Sequence, residues 1–163
     1  MSNLAIALAA LDAKVIVRRG KADVTMTIPE LYQKAWEDVT AHHSLGPTDL
    51  ILRVEIPGHG RKSAYIQVSE KASFDWALVS CAAAAKVDGR KLSAVRVILG
   101  AVAPIPYQVP AAHELLEGKE FDDDLAVRAA DLILKGAEPL THNGYKVPIA
   151  HALIRRTLKQ LIA

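Results

Sequence analysis

The chain has 163 residues, 51% of them hydrophobic and 23% charged, with 20 basic against 18 acidic side chains. A chain this apolar and this evenly charged is not generally disordered. Its length suits one domain, or one domain with an appended piece, that removes roughly 70% of its unfolded surface from water. Only 5% of residues are aromatic and no basic block is interleaved with them, which excludes the concentrated charge and stacking platforms of a nucleic-acid groove.

Residues 4–11 are dense in apolar side chains, with Leu4, Leu8 and Leu11 at helical spacing. No basic flank precedes them, and Asp12 and Lys14 end the run too early to span a bilayer. A short helix buried on most sides is expected, in a soluble cytoplasmic protein without a membrane segment. Residues 13–19 and 23–27 read as a hairpin turning at Gly20. Thr27, Pro29 and Glu30 then spell a capped helix start, with the helix running to Asp38. Residues 42–47 read as loop and 50–56 as a strand stopped by Pro57 and Gly58. The segment 57–62 is the expected boundary between two structural units.

In the second unit, residues 63–69 alternate as a half-buried strand does. Two long apolar segments, 74–87 and 92–102, are joined through Asp88-Gly89, a hairpin signal. The run from Ala82 to Ala85 is helical on propensity, but the hairpin register favours a strand against which helices pack closely. Pro104, Pro106 and Pro110 interrupt the chain before a short helix at 111–117 ended by Gly118. Asp122, Asp123 and Asp124 suit a helix N-terminus, followed by an apolar face of Leu125, Ala129, Leu132 and Ile133. A final helix starts near Lys146 with Pro148 in its first turn. The fold class is α+β, an antiparallel sheet with helices packed on it.

The obvious motifs carry little chemistry. Gly58-His59-Gly60-Arg61-Lys62-Ser63 has the wrong spacing for a phosphate loop, because Arg61 intervenes and a strand pattern follows. His42 and His43 are adjacent and diverge on any regular element, so they read as solvated side chains rather than metal ligands. Cys81 stands alone in an apolar run, which excludes an intrachain disulfide or a multi-thiolate metal site and raises a thiol pKa. Residue chemistry alone assigns no catalytic residue and no metal.

Several pieces nevertheless match one family in order. They are Ser2-Asn3-Leu4-Ala5, Gly46-Pro47-Thr48-Asp49-Leu50-Ile51-Leu52-Arg53-Val54-Glu55-Ile56-Pro57, Ala64-Tyr65-Ile66-Gln67-Val68, Phe74-Asp75-Trp76-Ala77-Leu78-Val79-Ser80, residues 94–106, and Asn143-Gly144-Tyr145-Lys146-Val147-Pro148. Together they resemble the FAD-binding (medium) subunit of molybdenum hydroxylases, the carbon monoxide dehydrogenase and xanthine dehydrogenase group, over its C-terminal portion. The resemblance implies that residues 1–60 are the remnant of a PCMH-type FAD-binding subdomain and 61–163 the subunit's C-terminal domain. It implies FAD as cofactor, with Asn3, Leu50, Ile51, Asp75 and Trp76 as cofactor-binding positions. It also implies an iron–sulfur subunit and a molybdopterin subunit as partners in electron transfer, with no independent activity for this chain.

Three positions depart from the family pattern: Asn3 stands where Asp is usual, Ile66 where Lys is usual and Gln108 where Arg is frequent. The family's glycine-rich phosphate loops lie upstream of the position matched by Ser2, so a truncated subunit completed by another polypeptide is expected. The alternative is a non-catalytic interaction or assembly module that has lost FAD. Trp76 and Ile51 would be plain core residues if no cofactor lies beside them. An uncovered apolar stripe along Leu4, Ile6, Leu8 and Leu11 is expected to drive homo-oligomerisation unless a partner covers it.

Overall fold

The computed structural model describes residues 2–38, 40–58, 60–73 and 75–163. In chain order the elements are α1 (Asn3–Ala10), β1 (Lys14–Arg19), β2 (Ala22–Thr27), α2 (Ile28–Glu37), β3 (Leu50–Glu55), β4 (Lys62–Val68), β5 (Val79–Asp88), β6 (Lys91–Gly100), α3 (Pro110–Leu116), α4 (Asp123–Leu134) and α5 (Lys146–Leu161). They form two antiparallel three-stranded sheets, ordered β2-β1-β3 and β4-β5-β6. No helix among the described residues is long and apolar enough to cross a membrane.

Both hairpins obey the same local rule. Arg19 pairs with Ala22 and Asp88 with Lys91, leaving Gly20-Lys21 and Gly89-Arg90 as two-residue loops. Gly20 and Gly89 have φ of 62° and 57°, as the first central position of a tight hairpin turn requires. The second turn is therefore one residue later than the Asp-Gly signal suggests, and Asp88 is the last strand residue. The strand expected from residue 74 starts at Val79; Phe74 lies outside the described residues, and Asp75 shapes a loop instead. Thr27 and Glu30 form the reciprocal capping box at α2, and the Asp122 side chain caps α4 by accepting from Leu125 N–H.

The second sheet is covered on both faces, which explains its alanines. Val79, Cys81, Ala83 and Ala85 point with Val95, Val97 and Leu99 into a core completed by α3, α4 and α5. Ala82, Ala84 and Ile98 point the other way, into a second core with α1, β1 and α2. Successive strand residues alternate faces, so one run of four alanines lets helices approach closely from both sides. The expected apolar stripe of α1 is corrected by this packing. Ile6 and Leu8 are buried and Leu11 is half-buried, leaving Leu4 exposed.

The first sheet is covered differently. Val15, Ile16 and Val17 of β1 are buried, whereas all six residues of β3 are exposed. Ile51 pairs with Val17 and Val54 with Val15, across an irregularity in register. Paired residues share a face, so Ile51 and Val54 extend the apolar face of β1 beyond the reach of the helices.

Candidate functional site

The five positions implied as cofactor-binding fall on two elements, α1 and β3, and one loop. Asn3 opens α1, and its side-chain amide donates to Gln67 Oε1 on β4 at 3.0 Å. The Tyr65 hydroxyl donates to the same oxygen at 2.8 Å. Tyr65 and Gln67 are two residues apart on one strand and so share a face, the face on which α1 packs. Immediately beyond β4, the Asp75 carboxylate accepts from the backbone N–H of Lys71 at 2.8 Å and of Trp76 at 2.9 Å. Both oxygens are thus spent on holding a tight loop that presents Trp76 outward.

Leu50 and Ile51 enter from the other sheet. Ala13 N–H donates to Leu8 O, so β1 leaves the C-terminus of α1. Val15 and Val17 both pack in the core that α1 helps form. Ile51 and Leu50 pair with Val17 and Arg18 of β1. Trp76 is 70% exposed and Ile51 45% exposed, which removes the alternative that they are plain core residues. Ile66, by contrast, pairs with Cys81 and packs with the α3–α5 core. It lies on the face opposite Asn3 and Gln67, and burial against helices explains an apolar residue there.

A second concentration of chemistry gathers residues far apart in the sequence. A cavity of about 490 Å³ opens where the α1–β1 turn, the start of α2, β6 and α3 meet. At its edge Asp12, with a left-handed φ of 53°, accepts from two guanidinium groups. Arg61 Nη1 lies 2.9 Å from Asp12 Oδ2, and Arg96 Nε lies 3.0 Å from Asp12 Oδ1. The Arg61 side chain is only 4% exposed, and its Nη2 has no partner among the described residues. His113 Nε2 lies 3.1 Å from both the N–H and the carbonyl of Val97, and burial pushes its imidazole below the ordinary range. No local signal could have revealed this cluster, because Arg61 and Arg96 stand 49 and 84 residues from Asp12.

His42 and His43 are exposed, and the described residues contain no group of three or more His, Cys, Asp or Glu able to hold a metal ion. Burial pushes the Cys81 thiol up to about 12.

The family model for the CO dehydrogenase flavoprotein C-terminal domain matches residues 63–161. The chain belongs to that family. Its relatives in the family extend the likeness upstream. The FAD-binding subunit of aldehyde oxidoreductase from Escherichia coli (strain K12) is 32% identical over 99% of this chain and 47% of its own length. The glyceraldehyde dehydrogenase medium chain of Sulfolobus acidocaldarius is 23% identical over 98% of this chain and 57% of its own. The flavoprotein-family chain described here spans about half the length of the curated relatives it matches. Quinoline 2-oxidoreductase from Pseudomonas putida 86 superposes with a TM-score of 0.83 at 23% identity, covering 99% of this chain and 56% of that one. Carbon monoxide dehydrogenase from Hydrogenophaga pseudoflava superposes with a TM-score of 0.81 at 23% identity, covering 96% and 55% respectively. These likenesses establish the fold.

Proposed function

We propose that this chain acts as the C-terminal portion of the medium (flavoprotein) subunit of a molybdenum hydroxylase. In this reading residues 1–60 belong to the FAD-binding subdomain, 61–163 form the C-terminal domain, and an N-terminal half completes the cofactor site. The observation that carries the reading is the uncovered surface of Ile51, Val54 and Trp76. Apolar groups this exposed mark an interaction or ligand surface, and this chain covers only 56% and 55% of the two superposed relatives.

The exposed aliphatic and indole groups suit the face of a planar apolar ring, so the fit of FAD here is to one wall of its site. Bound FAD would supply a redox carrier between an iron–sulfur subunit and an external acceptor, while a molybdopterin subunit oxidises the substrate. This chain's own part is to bind and orient. Leu50, Ile51 and Trp76 offer apolar contact, Asn3 is fixed by Gln67, and Asp75 holds the loop that carries Trp76. Phosphate binding falls to glycine-rich loops in the completing half, where backbone amides do that work.

The test is co-purification of this chain with a polypeptide carrying that half, followed by the visible flavin spectrum. A bound flavin band, reduced at least tenfold in occupancy by Trp76→Ala together with Ile51→Asp, is expected. A colourless complex with no affinity for added FAD would overturn the redox reading and leave an assembly module.

A further inference from the structure

We propose that the cavity between the two sheets is a binding site for a small organic carboxylate, separate from the flavin-facing surface. Its volume of about 490 Å³ falls within the range of small-molecule pockets. An unpaired cation supplies the first argument. Asp12 is already held by two guanidinium groups, Arg61 and Arg96, and Lys14 is a further cation in the wall, which Glu114 also lines. Lys14 stands opposite Glu55 on β3, yet Glu55 pairs with Arg53 instead, and Lys14 makes no ion pair among the described residues.

Donor geometry supplies the second argument. Arg96 spends Nε on Asp12 and Nη1 on the Val95 carbonyl, leaving Nη2. Arg96 Nη2 and the Lys14 ammonium make two charged donors for two carboxylate oxygens, the pairing that charge-assisted hydrogen bonds favour. His113 engages Val97 through Nε2, so Nδ1 remains, and Gln108 adds a neutral amide to the same wall. Ile28, Pro29 and Pro110 line the rest, which gives an apolar body a dry surface that inorganic phosphate could not use. The nearby carboxylates of Asp12 and Glu114 also oppose a dianion. A monoanion with an apolar body matches the two charged donors and the apolar wall.

Titration of the isotopically labelled full chain with sodium benzoate, benzamide and inorganic phosphate, followed by amide NMR, decides the matter. Benzoate is expected to shift the backbone signals of Lys14, Arg96 and His113 saturably, while benzamide leaves them in place. Lys14→Gln, at an exposed and unpaired position, should weaken benzoate about tenfold with an unchanged spectrum elsewhere. Arg96→Gln should weaken it further, and its melting temperature reports whether loss of the Asp12 contact has disturbed the fold. Benzamide binding as well as benzoate, shifts confined to other residues, or no shift at millimolar benzoate would overturn the proposal. Phosphate saturating the same signals with equal affinity would overturn the carboxylate assignment.

Discussion

At the scale of single residues, identity and environment agree wherever one neighbour decides and diverge where several do. Cys81 belongs to the first kind: an apolar strand run buries it, and burial holds the thiol neutral with its pKa at about 12. The sign of the linkage follows from this shift. Folded Cys81 stays protonated while the unfolded thiol, at about 8.5, loses its proton, so its contribution to stability is complete below that pH and fades as pH rises toward 12. Thiol-reactive dye should leave the native chain unlabelled at pH 8 and label it on unfolding; rapid labelling of the folded protein would contradict the burial. Trp76 belongs to the second kind. Its indole is exposed because Asp75 ties the loop backbone behind it, and nothing in the residue order distinguishes that from a core tryptophan. The Asp12 cluster is equally illegible, since each ion pair joins side chains from separate elements.

At the scale of elements, much of the pattern was readable because the forces are local. The capping box at Thr27, the three aspartates at the start of α4 and the glycine turns each act over a few residues. What could not be read was which face of each element would be covered. β3 has the composition of a core strand and is exposed throughout, whereas α1 has an apolar surface all round and is largely buried. Gly100 shows how tightly α1 is seated. A Cβ at this position would lie 2.7 Å from Ile6 Cγ1 and closer still to Ser80 Oγ. Gly100→Ala should therefore cost about 1–3 kcal/mol through overpacking, measured by urea unfolding. Adding Ile6→Ala should give a double variant less destabilised than the sum of the two single changes, because the sites touch.

At the scale of the whole molecule, exposed apolar side chains run the length of β3. Leu50, Ile51, Leu52, Val54 and Ile56 are all exposed, and β3 is an edge strand of its sheet, a combination that favours association with another chain. Leu52→Lys with Ile56→Lys should change folding stability by no more than about 0.5 kcal/mol, as exposed substitutions do. The same pair should reduce self-association of the isolated chain and weaken its assembly with a completing half, both read by size-exclusion chromatography with light scattering. Unaltered assembly would show that the completing half engages a different surface. The lengths of the relatives and the exposure of β3 thus bear on the same question from independent directions.

The doubly covered β5 strand has a consequence for how the molecule comes apart. The family match begins at residue 63, and the strands on either side of that region belong to different sheets. Yet the alanines of β5 contribute to both cores at once, Ala83 and Ala85 to one and Ala82 and Ala84 to the other. Neither core can lose its packing without uncovering the strand that walls the other. The two sheets should therefore melt in a single calorimetric transition whose van't Hoff and measured enthalpies agree. Cooperativity then runs straight across the point where the family model begins.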